Sequence, residues 1–251
     1  MKRIKINKNK SIGSVIYIVE GKVTEQNLIK KIFNQLLDYE LYQINGQEKL
    51  LRLKSKTNKF SKVAVITSKK PQISTLIKQE DFFDNIYHYL SIHDFDVENS
   101  AIYYIFDRDR GSNDFETIKK YLQIYKNSRD NDDGNMNGLF LLGYPSIEAF
   151  YLNINKVEKY LKDGKTAKKA TRKQISKQLN KQDLINNSSN FLKILNKKLK
   201  VNFTLNDLDN MERINIDILN KEEQLYYLKE KYLVLAQLTI SLLDLGIIEI
   251  I

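Results

Sequence analysis

Acidic side chains follow two apolar runs of the sequence, at the point where each run ends. Glu20 comes directly after the run 15–19, and Asp107 and Asp109 come directly after the run 101–106. Alternate residues at the end of a strand project to the same side, so both aspartates can face one ion. Ligands of open α/β sheets bind at the carboxyl ends of the strands, and Glu20 can join the two aspartates there. The pattern predicts a three-carboxylate metal site.

The composition limits which metal such a site can hold. The chain has no cysteine and only two histidines, His88 and His93. A thiolate zinc site is thereby excluded, and a histidine-rich site is not expected. Both histidines lie in an aromatic-rich stretch, and we interpret them as structural. Oxygen ligands favour magnesium, manganese or calcium over zinc or iron, and we predict Mg²⁺ or Mn²⁺.

The first 155 residues alternate between short apolar runs and amphipathic stretches, which is the pattern of a βαβ architecture. Strands are predicted at 15–19, 63–66, 101–106 and 139–142, and helices at 26–37, in the later half of 71–90, and at 115–125. The polar run 128–138 reads as a loop. It contains Asp130, Asp132 and Asp133, but it lacks the closing glutamate of a calcium loop, so we interpret it as an exposed acidic loop. The fold class is therefore α/β, with a mostly parallel sheet flanked by helices.

After Ile147 the strand signals fade, and helices are predicted at about 146–163, 166–180, 183–199 and 221–244. A change of pattern near residue 155 predicts two parts. We predict a catalytic domain at residues 1–155 and a basic, mainly helical C-terminal subdomain at residues 156–251.

The net charge of +10 is concentrated in one segment. Residues 156–200 carry 14 basic and three acidic side chains, whereas residues 201–251 carry four basic and nine acidic ones. A cluster of this kind favours binding to the phosphates of a nucleic acid, because binding releases counterions. The candidates are Lys165, Lys168, Lys169, Arg172 and Lys173. A solvated helix face is the alternative interpretation.

Three further cations lie next to the predicted metal ligands. Lys22 follows Glu20 and can neutralise a phosphate, although a solvent-facing lysine is the simpler interpretation. Arg108 and Arg110 alternate with the two aspartates. Each arginine can either clamp a substrate phosphate or pair with a neighbouring acid.

Three segments of residues 14–152 resemble the topoisomerase-primase (TOPRIM) family, and in particular its RloB/AbiL-like branch. They are Ile18-Val-Glu-Gly-Lys-Val-Thr-Glu25, Phe106-Asp-Arg-Asp109 and Gly143-Tyr-Pro-Ser-Ile-Glu-Ala-Phe150. The resemblance implies a TOPRIM-like, Rossmann-like fold and an Mg²⁺ held by Asp107 and Asp109. Glu20 would be the general acid/base or the first metal ligand. Glu148 would be an additional ligand, unless it caps the helix that follows Ser146.

The RloB/AbiL-like branch is associated with bacterial phage defence, is often encoded beside an ATPase, and is related in logic to OLD-family nucleases. The resemblance therefore implies a metal-dependent nuclease that cleaves DNA or RNA, with a possible partner ATPase. It does not extend clearly over 54–70 or over the C-terminal helices, which leaves the choice of substrate open. The alternatives are a non-catalytic module that binds nucleic acid or regulates an ATPase, and a primase-like polymerase.

The sequence shows neither a signal peptide nor an apolar run of about 20 residues. We therefore expect a cytoplasmic protein with no membrane partner.

Overall fold

The structure is a computed structural model. It describes residues 3–21, 23–42, 50–68, 73, 80–111, 113–129 and 137–251. Lys22, Pro71 and most of the acidic loop, residues 130–136, lie outside the described residues.

Eleven strands lie in the described residues. In chain order they are β1 (Ile4–Ile6), β2 (Ser14–Val19), β3 (Tyr39–Leu41), β4 (Leu50–Ser55), β5 (Lys62–Thr67), β6 (Ala101–Asp107), β7 (Leu139–Tyr144), β8 (Tyr160–Leu161), β9 (Tyr232–Leu233), β10 (Leu235–Ala236) and β11 (Ile248–Ile250).

Seven of these strands form the central sheet, in the order β10-β7-β6-β2-β5-β4-β3. The four middle strands β7, β6, β2 and β5 are mutually parallel. Antiparallel strands extend both edges, with β10 on one side and β4 and β3 on the other. Every residue of β2 and of β7 is buried. This burial explains their continuous apolar sequence, because a parallel strand is covered on both faces.

Helices flank the sheet, so the fold is α/β, as the sequence predicts. They are α1 (Thr24–Lys30), α2 (Glu80–Ser91), α3 (Phe115–Ile124), α4 (Ala149–Asn153), α5 (Gly164–Ile175), α6 (Lys181–Lys193), α7 (Glu212–Lys229) and α8 (Leu238–Asp244). Two π-helical turns, Lys31–Leu36 and Ile194–Leu199, continue α1 and α6, and a 3₁₀ turn spans Leu205–Asp209. Within the described residues, no helix has both the length and the apolar character that crossing a bilayer requires.

The four strands predicted from apolar runs are confirmed, but the predicted helix 221–244 is wrong. Helix α7 ends at Lys229, and Glu230 adopts a left-handed conformation with φ of 51°. The run 232–236 that follows is fully buried and forms β9 and β10 instead. A short apolar run fits a buried strand as well as a buried helix, so periodicity alone could not separate them.

The predicted helix 146–163 is also much shorter in the structure. Its helical part is α4, and β8 follows within the same range. Helix α5 then begins at Gly164, and Asp163 caps it by accepting a hydrogen bond from the Thr166 amide.

The C-terminal part of the chain contributes to sheets with the N-terminal part. Strand β10 pairs with β7 in the central sheet, and β11 pairs with β1 near the start of the chain. The boundary near residue 155 stays a prediction, and these two pairings connect the segments on either side of it.

Candidate active site

The predicted strand-end carboxylates Glu20 and Asp107 lie together. Strands β2 and β6 are adjacent and parallel, with Val19 opposite Ile105, so both strands end at the same edge of the sheet. The backbone amide of Asp107 donates a 3.2 Å hydrogen bond to Oε2 of Glu20. The parallel pairing of two strands therefore brings together two acids that are 87 residues apart in the sequence.

Two other parts of the chain approach the Asp107 carboxylate. The amide of Ile147, in the turn after β7, donates to Oδ1 at 2.8 Å. The start of α5 lies nearby, because a Cβ added at Gly164 would be 3.9 Å from Oδ2. Burial of the carboxyl group raises the pKa of Asp107 well above its usual value, and the charges of Glu20, Glu25 and Glu148 raise it further.

Glu20 shares this electrostatic environment. Burial of its carboxyl group, followed by the charges of Glu25 and Asp109, raises the pKa of Glu20 to about 7. The Asp107 amide and the charge of Lys168 act in the opposite direction. The two strand-end carboxylates are therefore costly to ionise together without a cation.

Glu25 belongs to the same acidic group, and the sequence interpretation gave it no role. It lies in the first turn of α1 and is 6% exposed. Burial and the charge of Glu148 raise its pKa, whereas Lys168 lowers it. The carboxyl group packs against Gly21, where an added Cβ would lie 2.5 Å from Oε2 of Glu25. The sequence signal that could have identified Glu25 is its place close after the Glu20-Gly21 pair, in the first turn of the helix that follows β2.

Glu148 is fully buried beside this group. Its Oε2 accepts a 2.6 Å hydrogen bond from Oγ of Ser146, and its Oε1 has no hydrogen-bond partner among the described residues. It stands directly before α4, but its side chain makes no capping hydrogen bond to that helix. A buried acceptor without a partner is costly, and an additional donor or a cation would satisfy it.

Asp109 lies in the same cleft but is placed differently. Its side chain is exposed, and Oδ1 accepts a 2.9 Å hydrogen bond from the amide of Gly111. Among the described residues, no group of three or more acidic or histidine side chains is arranged closely enough to hold a metal ion. The structure thus brings Glu20 and Asp107 together, and the complete set of three ligands stays a prediction.

The donor chemistry nevertheless suits a hard cation. Buried carboxyl groups whose pKa is raised by neighbouring acids, with one buried oxygen lacking a partner among the described residues, are groups that a divalent cation would neutralise. Glu20, Asp107 and Asp109 all line one cleft of about 480 Å³.

Lysines form another part of the cleft lining. Lys162, Lys165 and Lys168 all lie there, around the start of α5. The remaining predicted cations of this helix, Lys169, Arg172 and Lys173, are exposed but are not part of the cleft lining. The basic helix therefore presents only its first turns to the acidic group.

Arg108 pairs with an acid, which is one of the two roles that the sequence analysis gives it. It is 2% exposed, and its Nε donates a 2.7 Å hydrogen bond to Oε1 of Glu223. A second bond runs from Nη1 to the carbonyl oxygen of Asn113 at 2.9 Å. This buried charge fixes the turn between Asp107 and Asp109. Arg108 borders the cleft, but its guanidinium is already bonded to Glu223 and to the Asn113 carbonyl oxygen.

Arg110 is more exposed and lines the cleft together with Tyr226 and Tyr232 of the C-terminal segment. Its guanidinium carbon lies over the Tyr226 ring, 4.5 Å from the centroid. The sequence interpretation missed both tyrosines. They are distant in sequence from every acidic motif, and only the fold brings them to the cleft.

Comparison with protein-family models, with curated proteins and with solved structures found no match for this chain.

Proposed function

We propose that this protein is an Mg²⁺-dependent or Mn²⁺-dependent nuclease of the TOPRIM type, which cleaves phosphodiester bonds of a nucleic acid. The observation that carries the proposal is the meeting of Glu20 and Asp107 at the ends of adjacent parallel strands, in a cleft also lined by lysines. An acidic group suits a divalent cation, and a basic surface suits a polyanion. A metal-dependent nuclease needs the acidic group and the basic surface in the same cleft.

Glu20 and Asp107 would hold the metal ion, with Asp109 at the cleft surface and Glu148 behind them as further candidates. When bound, the ion supplies Lewis-acid stabilisation of charge on phosphate oxygens and lowers the pKa of a water molecule. The protein's own groups position these carboxylates. The Asp107 amide holds Glu20, the Ile147 amide holds Asp107, and the buried Arg108 holds the turn between the two aspartates.

Lys162, Lys165 and Lys168 would bind the phosphates that flank the scissile bond. Lys168 also reduces the electrostatic cost of ionising Glu20 and Glu25. It can therefore stabilise the acidic group and attract the substrate from the same position.

The proposed role in phage defence, with a partner ATPase, is supported by the resemblance of the three motifs around Glu20, Asp107 and Glu148 to the RloB/AbiL-like branch.

One observation favours a second candidate, a non-catalytic module that binds nucleic acid or regulates an ATPase. As placed among the described residues, the acidic side chains form no group of three that could hold a metal ion.

A cleavage assay separates the two candidates. Labelled single-stranded and double-stranded DNA and RNA are incubated with the wild-type protein in Mg²⁺, in Mn²⁺ and in EDTA. We expect cleavage that requires the metal and that Glu20→Gln and Asp107→Asn each reduce at least 100-fold, because each substitution removes one anionic ligand. Glu116→Gln, at an exposed position on α3, is the matched control and should cleave as the wild type does.

Undiminished cleavage by both Glu20→Gln and Asp107→Asn would contradict the proposed site. Binding without metal-dependent cleavage of any substrate would favour the non-catalytic module.

A further inference from the structure

The cleft contains an aromatic and guanidinium surface that the proposed hydrolysis does not use. The guanidinium of Arg110 lies over the ring of Tyr226, and the ring centroids of Tyr226 and Tyr232 are 4.6 Å apart. All three residues line the same cleft as Glu20 and Asp107. A stacked surface therefore borders the carboxylates at which the scissile phosphate would lie.

Glu223, the acidic partner of the buried Arg108, also holds this surface in place. Oε2 of Glu223 lies 3.4 Å from Nη2 of Arg110, while Oε1 accepts the hydrogen bond of the buried Arg108. Tyr232, which is 1% exposed, supports Tyr226 from the interior. The Arg110 side chain nevertheless remains 45% exposed. Its guanidinium group is thus fixed by its neighbours and still accessible from the cleft.

A fixed aromatic ring with an exposed guanidinium above it suits the flat face of a nucleobase. Unpaired bases stack on tyrosine rings and arginine planes, and they do so with little sequence preference because every base has a π-face. The bases of a duplex are stacked on one another and cannot reach such a surface unless they are flipped out. Lysines for the phosphates beside a stacking surface for the bases are the combination that single-strand-binding proteins use.

We propose that Arg110 and Tyr226 form a stacking platform for a base of the substrate, and that the substrate is single-stranded nucleic acid. The inference rests on the proposed nuclease function for the position of the scissile bond. The platform places a base beside the carboxylates, and Lys162, Lys165 and Lys168 take the adjoining phosphates. Loops and single-stranded ends of a larger nucleic acid would be bound in the same way.

The test measures binding in EDTA, where cleavage cannot interfere. Fluorescence anisotropy compares labelled 12-nucleotide single strands of DNA and of RNA with a blunt duplex of the same sequence. We expect the wild type to bind one or both single strands at least tenfold more tightly than the duplex. We expect Tyr226→Ala to weaken single-strand binding at least about fivefold, because it removes the ring that supports the stacking guanidinium of Arg110. Tyr226→Phe should bind as the wild type does, because the ring is retained.

Tyr227→Ala is the matched control, since this neighbouring tyrosine is 87% exposed and is not part of the cleft lining. It should leave binding unchanged. Arg110→Lys is a second variant at a more exposed position, so it carries less risk to folding than Tyr226→Ala. It keeps the charge but removes the flat guanidinium, and it should weaken single-strand binding several-fold.

A 2-aminopurine base in the single strand reports stacking directly, because its fluorescence is quenched when it stacks. We expect quenching by the wild type and by Tyr226→Phe, and loss of quenching with Arg110→Lys. Equal binding of single strands and duplex, or unchanged binding and quenching with both Tyr226→Ala and Arg110→Lys, would overturn the stacking platform.

Different results would contradict the stacking platform and the proposed nuclease. Tyr226-dependent quenching without any metal-dependent cleavage would contradict the nuclease and leave the platform in place. Metal-dependent cleavage of duplex and single strand alike, with no effect of Tyr226→Ala on binding, would contradict the platform and leave the nuclease in place.

Discussion

The backbone amide of Asp107 donates a hydrogen bond to the carboxylate of Glu20, at 3.2 Å. The residue that contributes one carboxylate thus holds the other through its main chain. Because the carboxyl group of Asp107 in turn accepts from the Ile147 amide at 2.8 Å, the ends of β2 and β6 and the turn after β7 are joined by these acids. A change at any of these three points should therefore disturb the other two.

Gly21 should be required for the position of Glu25. A Cβ at this position would lie 2.5 Å from Oε2 of Glu25 and 2.9 Å from its Cδ, which is too close for a carbon atom. Gly21→Ala should therefore displace the Glu25 carboxyl group and reduce metal-dependent cleavage at least tenfold. Initial cleavage rates at a saturating Mg²⁺ concentration measure the effect.

Gly164→Ala is the matched control for Gly21→Ala in the same cleft. The nearest atom to its added Cβ, Cβ of Ser146, is 3.4 Å away, and alanine suits the first turn of a helix. It should cleave within about twofold of the wild type. Equal losses of activity in the two variants would contradict a specific role for the space at Gly21.

Glu223→Gln should destabilise the protein. It leaves Arg108, which is 2% exposed, without its carboxylate partner, and the loss of one member of a buried ion pair costs about 3 kcal/mol. The free energy of unfolding from urea titration measures the loss.

Asp217→Asn, on the same helix, is the control, because it removes a charge 3.9 Å from Arg213 at the surface. It should change the free energy of unfolding by less than about 1 kcal/mol, and a similar effect of both changes would contradict the role of the Arg108 pair.

Buried Glu222 should make stability depend on pH. Burial, and then the charge of Glu223, raise the pKa of Glu222 well above 4.5, although the Leu233 amide donates to its carboxyl group at 2.9 Å. A raised pKa in the folded state gives a stabilising contribution that is complete below the unfolded pKa. That contribution is lost as the pH rises through the folded pKa.

The free energy of unfolding of the wild type should therefore fall relative to that of Glu222→Gln as the pH rises from 5 to 9. The difference should change by at most about 1.4 kcal/mol per pH unit, the limit for one proton. Urea titrations of both proteins across this range provide the test. Parallel curves would show that Glu222 does not titrate with a raised pKa.

The lysines at the start of α5 should contact phosphates, and those further along should contribute less. Lys165 and Lys168 line the cleft, whereas Lys169 and Lys173 do not. The double change Lys165→Ala/Lys168→Ala should make the negative slope of log affinity against log salt concentration shallower by about 0.7–0.9 for each lost phosphate contact. Lys169→Ala/Lys173→Ala removes the same charge from the same helix, and equal slopes for the two double variants would contradict a contact specific to the cleft.

The sequence predicts the centre of this fold better than its edges. The buried parallel strands β2, β5, β6 and β7 are continuous apolar runs, and acids at two of their ends were therefore placed correctly at one edge of the sheet. Strand β4, which lies between β5 and the edge strand β3, was not predicted, because its sequence, Leu-Leu-Arg-Leu-Lys-Ser, mixes apolar and basic residues without a clear period.

The rest of the cleft depends on contacts between distant segments. Nothing near Tyr226 in the sequence indicates that it packs under Arg110, 116 positions earlier. The sequence also does not indicate which side chains are exposed. Arg108 and Arg110 occupy similar positions in the motif, but only Arg108 is buried. Residue types and strand ends predict the chemistry of the site, whereas tertiary packing decides which of those residues face the substrate.

The central claim, that Glu20 and Asp107 bind a divalent cation, is tested most directly by the anomalous scattering of a crystal soaked in Mn²⁺. The account predicts a manganese peak within coordination distance, about 2.0–2.6 Å, of carboxylate oxygens of Glu20 and Asp107. It also predicts that the peak disappears in Asp107→Asn crystals and persists in Glu116→Gln crystals. A fully soaked wild-type crystal with no peak at these two carboxylates would contradict the account.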